Sequence, residues 1–205
     1  MSDRSDVYLK DLATGEPVEA TLIDGVSLQQ VELAEQSWKP DIEATVAQLL
    51  RMKVPRDRWP QHLHWNWMTK YNRTSKLLAF RWLALECNES MQGLMMLDTA
   101  TSLARIQEQS GKPLVYIHYL ATAPWNSPEI VQFPKYGWIG RVFIAAAIQI
   151  SEQEGFKGRL GLHALPQADT YYSEVCGMTD LDKDPTKANL KYFEMTPAQA
   201  AKFSG

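Results

Sequence analysis

Apolar and polar positions alternate or cycle along the chain in a way that predicts most of its elements. Val7–Leu12 and Pro17–Asp24 read as short strands, with Thr14-Gly15-Glu16-Pro17 as the turn between them. Ser27 is placed as an N-cap, followed by a helical stripe of Leu28, Val31, Leu33 and Ala34. Pro40-Asp41 predicts the start of a second helix from Ile42 to about Met52, and Trp59–Tyr71 a further, aromatic-rich one. Leu77–Glu86 suits helix or central strand. The turn residues Cys87–Ser90 and the apolar run Met91–Asp98 behind it favour an antiparallel hairpin.

Thr101–Gln109 reads as a helix stopped by Gly111, and Leu114–Thr122, rich in β-branched and aromatic residues, as the clearest strand. After a long loop holding Pro128 and Pro134, Tyr136-Gly-Trp-Ile-Gly140 leads into a helix over Arg141–Glu154. That helix is apolar on nearly every side, so it must be buried on more than one face. Arg159–Leu165 is the next strand. Pro166 opens a helix through Tyr171 and Tyr172 to Cys176-Gly177, Lys191–Met195 is a last strand, and Thr196-Pro-Ala-Gln a capped terminal turn.

Composition narrows the class. With 205 residues, 45% hydrophobic and 22% charged, the chain suits one α/β or α+β domain spanning 1–205. Its longest apolar run, Val142–Ile148, is far short of the roughly 18 residues that cross a bilayer, and the N-terminus has no secretory apolar region. Cys87 and Cys176 read as reduced thiols of a cytoplasmic protein. The net charge of −3 conceals −7 over residues 1–50 and +7 over 51–81. A basic segment within an acidic whole argues against a general nucleic-acid binder, although Arg51–Tyr71 interleaves basic and aromatic residues as single-strand binders do. It suits neutralisation of the acidic part, or attraction of an anionic ligand. His62-Leu-His64 lacks further ligands at metal spacing, so no metal site is expected. Trp59, His62, His64, Trp65, Trp67 and Tyr71 pack a core or clamp an apolar or planar molecule.

Candidate chemistry sits in the second half. A glycine-bearing loop running into a buried helix is suited to anions. The first helical amides lack intrahelical acceptors, the macrodipole adds positive potential, and Gly137 and Gly140 permit close approach. Leu120-Ala-Thr-Ala-Pro124, Lys135-Tyr-Gly-Trp-Ile-Gly-Arg141 and Ala168-Asp-Thr-Tyr-Tyr172 with Gly177-Met178 resemble three consecutive motifs of the GCN5-related N-acetyltransferase (GNAT) family. The resemblance runs from about Leu114 to Met195, and more loosely from Val7. Ile139 and Gly140 match the pyrophosphate loop, Lys135 replaces arginine or glutamine, and Trp138 stands at the middle glycine. Thr122 replaces a valine, Leu165 an asparagine, and the Pro124–Gly140 loop is longer than the family's.

The resemblance implies a mixed, mostly antiparallel sheet with helices on both faces and splayed fourth and fifth strands. It also implies acetyl-CoA as cosubstrate and transfer of its acetyl group to an amine by direct attack. The pantetheine arm would pair with Leu120, Ala121 and Thr122, and the amides of Gly137, Trp138, Ile139, Gly140 and Arg141 would hold the pyrophosphate. Tyr172 is the candidate acid for the departing thiolate, with Tyr171 as fallback, since counting back from Gly177 lands on Ser173 instead. His118 is the candidate base, with Glu86 or water as alternatives. The acceptor is a small-molecule or protein amine, a homodimer is allowed, and no membrane partner is expected. The competing reading is a GNAT-like binding or regulatory module without turnover.

Overall fold

A computed structural model describes residues 2–205. Its nine strands, β1 (Asp3–Asp11), β2 (Pro17–Asp24), β3 (Phe80–Cys87), β4 (Ser90–Asp98), β5 (Val115–Thr122), β6 (Tyr136–Gly137), β7 (Leu160–Ala164), β8 (Thr179–Asp184) and β9 (Leu190–Met195), follow the order β6-β1-β2-β3-β4-β5-β7-β9-β8. β5 and β7 run parallel, and β1–β2, β1–β6, β2–β3, β7–β9 and β8–β9 are antiparallel. The chain forms two compact units. One comprises the chain to Leu77, Trp82–Leu94 and Ala121–Gly140; the other comprises Leu78–Arg81, Met95–Leu120 and Arg141–Gly205.

In the first unit β1 (Asp3–Asp11) pairs with β2 (Pro17–Asp24), Lys10 facing Pro17. Asp11 Oδ1 accepts from the amides of Ala13 and Thr14, and Gly15 takes φ +82°, closing the expected turn. β2 continues to β3 (Phe80–Cys87), with Thr21 opposite Glu86. Asn88 and Glu89, both at positive φ, join β3 to β4 (Ser90–Asp98) as the two central residues of a tight hairpin turn.

Two sequence expectations for helices fail in this unit. α1 runs unbroken from Leu28 to Arg51, with Pro40 inside it, where a break was expected. Val31, Ala34 and Trp38 are buried one turn after another ahead of the proline. The Ser27–Gln30 capping box fixes its start, and Pro40 itself is exposed, where water can satisfy the freed carbonyl. The aromatic segment is not one helix. It makes a short 3₁₀ turn at Arg56–Arg58, and α2 spans only Trp67–Thr74, with Asn66 as its N-cap.

Tryptophans carry the core of this unit. Trp67 meets Trp38 and Trp82 edge-on, each with centroids 6.1 Å apart. Trp38 Nε1 donates to the Met91 carbonyl, Trp82 Nε1 to Thr74 Oγ1, and the Tyr71 hydroxyl to the Val26 carbonyl. Each ring thus buries its apolar body while its polar atom finds a partner. Trp67 and Tyr71 are therefore packing residues.

The second unit holds β7 (Leu160–Ala164), β8 (Thr179–Asp184), β9 (Leu190–Met195) and α4 (Pro197–Ser204), with β5 (Val115–Thr122) and α3 (Ile139–Gln153) ending or starting at its border. Phe143, Ile144, Ala147, Leu160, Leu162, Phe193 and Met195 are almost wholly buried. Thr196 and Gln199 form the capping box of α4. The helix expected over Thr101–Gln109 is instead a loop with a 3₁₀ turn at Gln107–Gln109. The buried carboxylate of Glu194 holds that loop, accepting from the amides of Arg105 and Ile106 and from Gln109 Nε2. The helix expected from Pro166 to Cys176 divides into a 3₁₀ turn at Pro166–Ala168 and a π-helical turn at Tyr171–Val175.

Candidate functional site

The parallel pair opens as the fourth and fifth strands of the expected fold should. β5 and β7 pair only through Val115–Leu160, Tyr116–Gly161 and Ile117–Leu162. β5 then runs on from His118 to Thr122 with no further β7 partner, leaving a strand edge with backbone groups to satisfy. Leu120 and Thr122 are half-buried and Ala121 is buried.

The loop beyond β5 is long but firmly tied. Gln92, 1% exposed, spends all four of its hydrogen-bonding positions there and in its own hairpin. Its Oε1 accepts from Trp125 Nε1 and Asn126 Nδ2, both at 2.9 Å, and its Nε2 donates to the carbonyls of Cys87 and Ser90. Asn126 Oδ1 in turn accepts from the Tyr136 amide at 2.9 Å, and Asn88 Nδ2 donates to the Tyr136 hydroxyl at 2.7 Å. Tyr136–Gly137 then forms β6 against Asp11 and Lys10 of β1, a strand the sequence did not disclose. Gln92 and Asn126 escaped sequence reading because an amide side chain carries no spacing signal.

Trp138 occupies φ +69°, the left-handed region that favours glycine, at the position where the family pattern has one. Its indole is 48% exposed, with Lys10 Nζ 6.0 Å from the ring centroid. The backbone path of a glycine loop is thus kept with a tryptophan in it. α3 begins at Ile139, two residues nearer the loop than expected, so the amides of Ile139, Gly140 and Arg141 belong to its first turn. A Cβ at Gly137 would come within 3.1 Å of Leu12 Cδ2. The Arg141 guanidinium lies 5.1 Å from the Phe203 ring centroid, leaving its amide as the group an anion would use.

Tyr172 lies in the π-helical turn, 7% exposed, its ring 5.9 Å from Phe193 and 5.4 Å from Tyr171. Burial raises its pKa well above the usual phenol value, and nearby Cys176 adds to the rise, so it keeps its proton at neutral pH. Tyr171 is raised too, again chiefly by burial. His118, on β5, meets the Tyr116 ring edge-on at 4.6 Å and the tilted Phe80 ring at 5.3 Å. Burial lowers its pKa to about 4, outweighing the attraction of Asp98. Glu86 lies in the first unit, where Arg4 Nη2 binds its carboxylate at 2.6 Å beside an open cavity of about 330 Å³ that Asp6, Glu19 and Glu89 also line.

Sequence reading missed a second cluster on the face of β5 that carries His118. The Tyr116 hydroxyl lies 2.6 Å from His163 Nδ1, and His163 Nε2 lies 3.0 Å from Asp184 Oδ2, which also accepts from Arg105 Nη1 at 2.7 Å. These residues are far apart in the chain, and only the register of β5, β7, β9 and β8 brings them together. Among the described residues no group of histidine, cysteine and acidic side chains could hold a metal, and no helix is long and apolar enough to cross a membrane.

The strand order and the opened parallel pair define a GNAT-like fold. Solved structures agree. The chain superposes on the GNAT domain of S. lividans PAT with a TM-score of 0.54 at 12% identity, covering 94% of this chain and 96% of that one. It superposes on an acetyltransferase of the GNAT family from Listeria monocytogenes with 0.53 at 10% identity, covering 87% and 95%. An uncharacterized protein from Bacillus halodurans gives 0.53 at 8% identity, covering 98% and 94%. No family model and no curated protein matches the sequence.

Proposed function

We propose that the protein is an acyl-CoA-dependent N-acyltransferase that moves an acetyl group from acetyl-CoA to an amine. The observation that carries this reading is the parallel pair that parts after Ile117 and Leu162 within a GNAT-like strand order. The free edge at Leu120–Thr122 is suited to pairing with the amide groups of pantetheine. The amides from Gly137 to Arg141 are suited to the diphosphate, because they sit at the start of a 15-residue helix and the left-handed Trp138 turns the chain into it.

The acceptor nitrogen attacks the thioester carbon, a C–N bond forms, and the C–S bond breaks. Tyr172 supplies the proton to the thiolate, since burial keeps its hydroxyl protonated. Of the two candidate bases, His118 is neutral at pH 7 with its pKa lowered by burial to about 4, and Glu86 is engaged by Arg4. Positioning carries most of the rate. Deprotonating a lysine-like acceptor at pH 7 costs about 4.6 kcal/mol, and orienting two bound substrates recovers roughly 7–11 kcal/mol. The acceptor is a small-molecule or protein amine. A binding module without turnover is the second reading, favoured by the exposed indole at the glycine position.

Acetyl-CoA at about a hundred times its Kd should stabilise the folded chain by about 2.7 kcal/mol, raising Tm by roughly 5–11 °C. A screen of amines for thiol release then separates enzyme from binding module. An unchanged Tm at millimolar acetyl-CoA would sink both readings.

A further inference from the structure

We propose that Tyr116, His163 and Asp184 form a proton relay that takes the proton from the attacking amine. The inference rests on the acyl-transfer reading above and names the group that moves its proton. Asp184 fixes the direction of the relay. Its carboxylate accepts from the Thr186 amide and hydroxyl on one oxygen and from Arg105 and His163 on the other. Thr186, then Arg105 and His163, hold its pKa far below the usual carboxylate range, so it is an ionised acceptor. His163 Nε2 must therefore carry the hydrogen, its Nδ1 holds the lone pair, and the Tyr116 hydroxyl donates to it.

The cluster is built rather than incidental. The His163 and Asp184 side chains are 5% and 10% exposed. The Tyr192 ring braces the pair, with its centroid 4.9 Å from that of His163 and 4.1 Å from the Arg105 guanidinium. A Cβ on Gly161 would collide with the Tyr192 hydroxyl, so the glycine clears the space that the brace needs. The chain from phenol to carboxylate lies where β5 and β7 part: Tyr116 is in the middle of the three residue pairs, and His163 is the first β7 residue beyond the last. Tyr116, His118 and Leu120 share one face of β5 by alternation, and Leu120 is about 13 Å along the strand from Tyr116.

His163 is also the better proton acceptor of the two histidines on this face. His118 has no carboxylate bonded to its ring, and Asp98 spends its oxygens on Ala100, Thr101 and Ser102. Imidazolium formed at His163 is compensated by Asp184. Burial first, then Arg105 and Lys187, disfavour that charge and leave the His163 pKa below its usual value despite Asp184, and Tyr116, Tyr192 and His118 also face the ring. In the step itself the amine N–H bond breaks, its proton bonds to the Tyr116 oxygen, and the phenol's own proton bonds to His163 Nδ1. His163 later releases that proton to water, while the thiolate takes one from Tyr172, which regains it from water. Tyr116 is the group that touches substrate; His163 and Asp184 act through it.

The test measures thiol release from acetyl-CoA with spermidine, tryptamine and N-α-acetyl-lysine methyl ester as probe amines, alongside calorimetric binding of acetyl-CoA and thermal melts. Tyr116→Phe, which keeps the ring, and His163→Gln should each lower kcat by 10²–10⁴-fold, with the KM for acetyl-CoA within about twofold. Wild-type kcat should rise with pH as His163 becomes neutral. Asp184→Asn should move that rise to lower pH, because the carboxylate that favours the imidazolium is gone. Variants within threefold of wild type overturn the relay, as does a kcat that falls only in step with Tm under an unmoved pH profile. Bound acetyl-CoA with no turnover of any probe amine overturns the relay and leaves the binding reading standing. Absence of acetyl-CoA binding overturns the acyl-transfer reading and the relay with it.

Discussion

Replacing Gln92 with leucine tests whether the long loop before α3 is a built support. The substitution keeps most of the volume and removes four hydrogen bonds, two from Trp125 and Asn126 and two to the carbonyls of Cys87 and Ser90. At about 1 kcal/mol net per bond the loss is about 4 kcal/mol. Trp125 and Ser90 are half-buried and recover part of it by bonding water, which leaves about 3 kcal/mol. For a chain of this length that is a fall in Tm of roughly 6–12 °C. The loop from Ala123 to Tyr136 hangs on this amide through Asn126, so acetyl-CoA affinity should also weaken, by about tenfold. Urea melts monitored by tryptophan fluorescence give the first quantity and calorimetry the second. A stability loss under about 1 kcal/mol would refute the network as the loop's anchor.

Trp138→Gly should leave stability within about 1 kcal/mol of wild type, because relief of the left-handed strain offsets the chain entropy of glycine and the lost indole contacts. Trp138→Val should cost about 2 kcal/mol by chemical denaturation, since a β-branched residue fits that φ poorly. Gly161→Ala should destabilise by about 1–3 kcal/mol, and adding Tyr192→Phe, which removes the hydroxyl in the way, should restore part of that in a double-mutant cycle. The lowered pKa of His118 favours its neutral form in the folded chain. Its contribution is complete above pH 6.5 and is lost as pH falls from 6.5 through about 4, so stability should decline over that interval and His118→Phe should flatten the decline. Asp184, depressed by Thr186, Arg105 and His163, contributes above its unfolded pKa near 3.8 and loses that contribution as pH falls below it, so Asp184→Asn should remove part of the acid sensitivity below pH 4.

The elements that local chemistry specifies were legible in the sequence. β5 is written in valine, isoleucine and aromatics, the Asn88-Glu89 turn in an asparagine, which accepts positive φ, and α4 in the Thr196–Gln199 box. The two segments proposed to hold the cofactor, Leu120–Thr122 and Gly137–Arg141, were assigned from motif order. Elements that depend on pairing were not. β8 reads Thr-Asp-Leu-Asp-Lys-Asp, a charged loop by composition, and is a strand only because β9 offers it an edge. Pro40 ends a helix on paper, but one buried turn after another before it keeps α1 whole. Tyr116, His163 and Asp184 carry no common motif, and their meeting is a matter of register.

Amide hydrogen exchange, measured with and without saturating CoA, addresses the central claim most directly. Exchange should slow at Leu120–Thr122 and at Gly137–Arg141, and it should do so less with CoA lacking its diphosphate at the second segment. Saturating CoA with unchanged exchange at both segments would contradict the placement of the nucleotide, and with it the acyltransferase account.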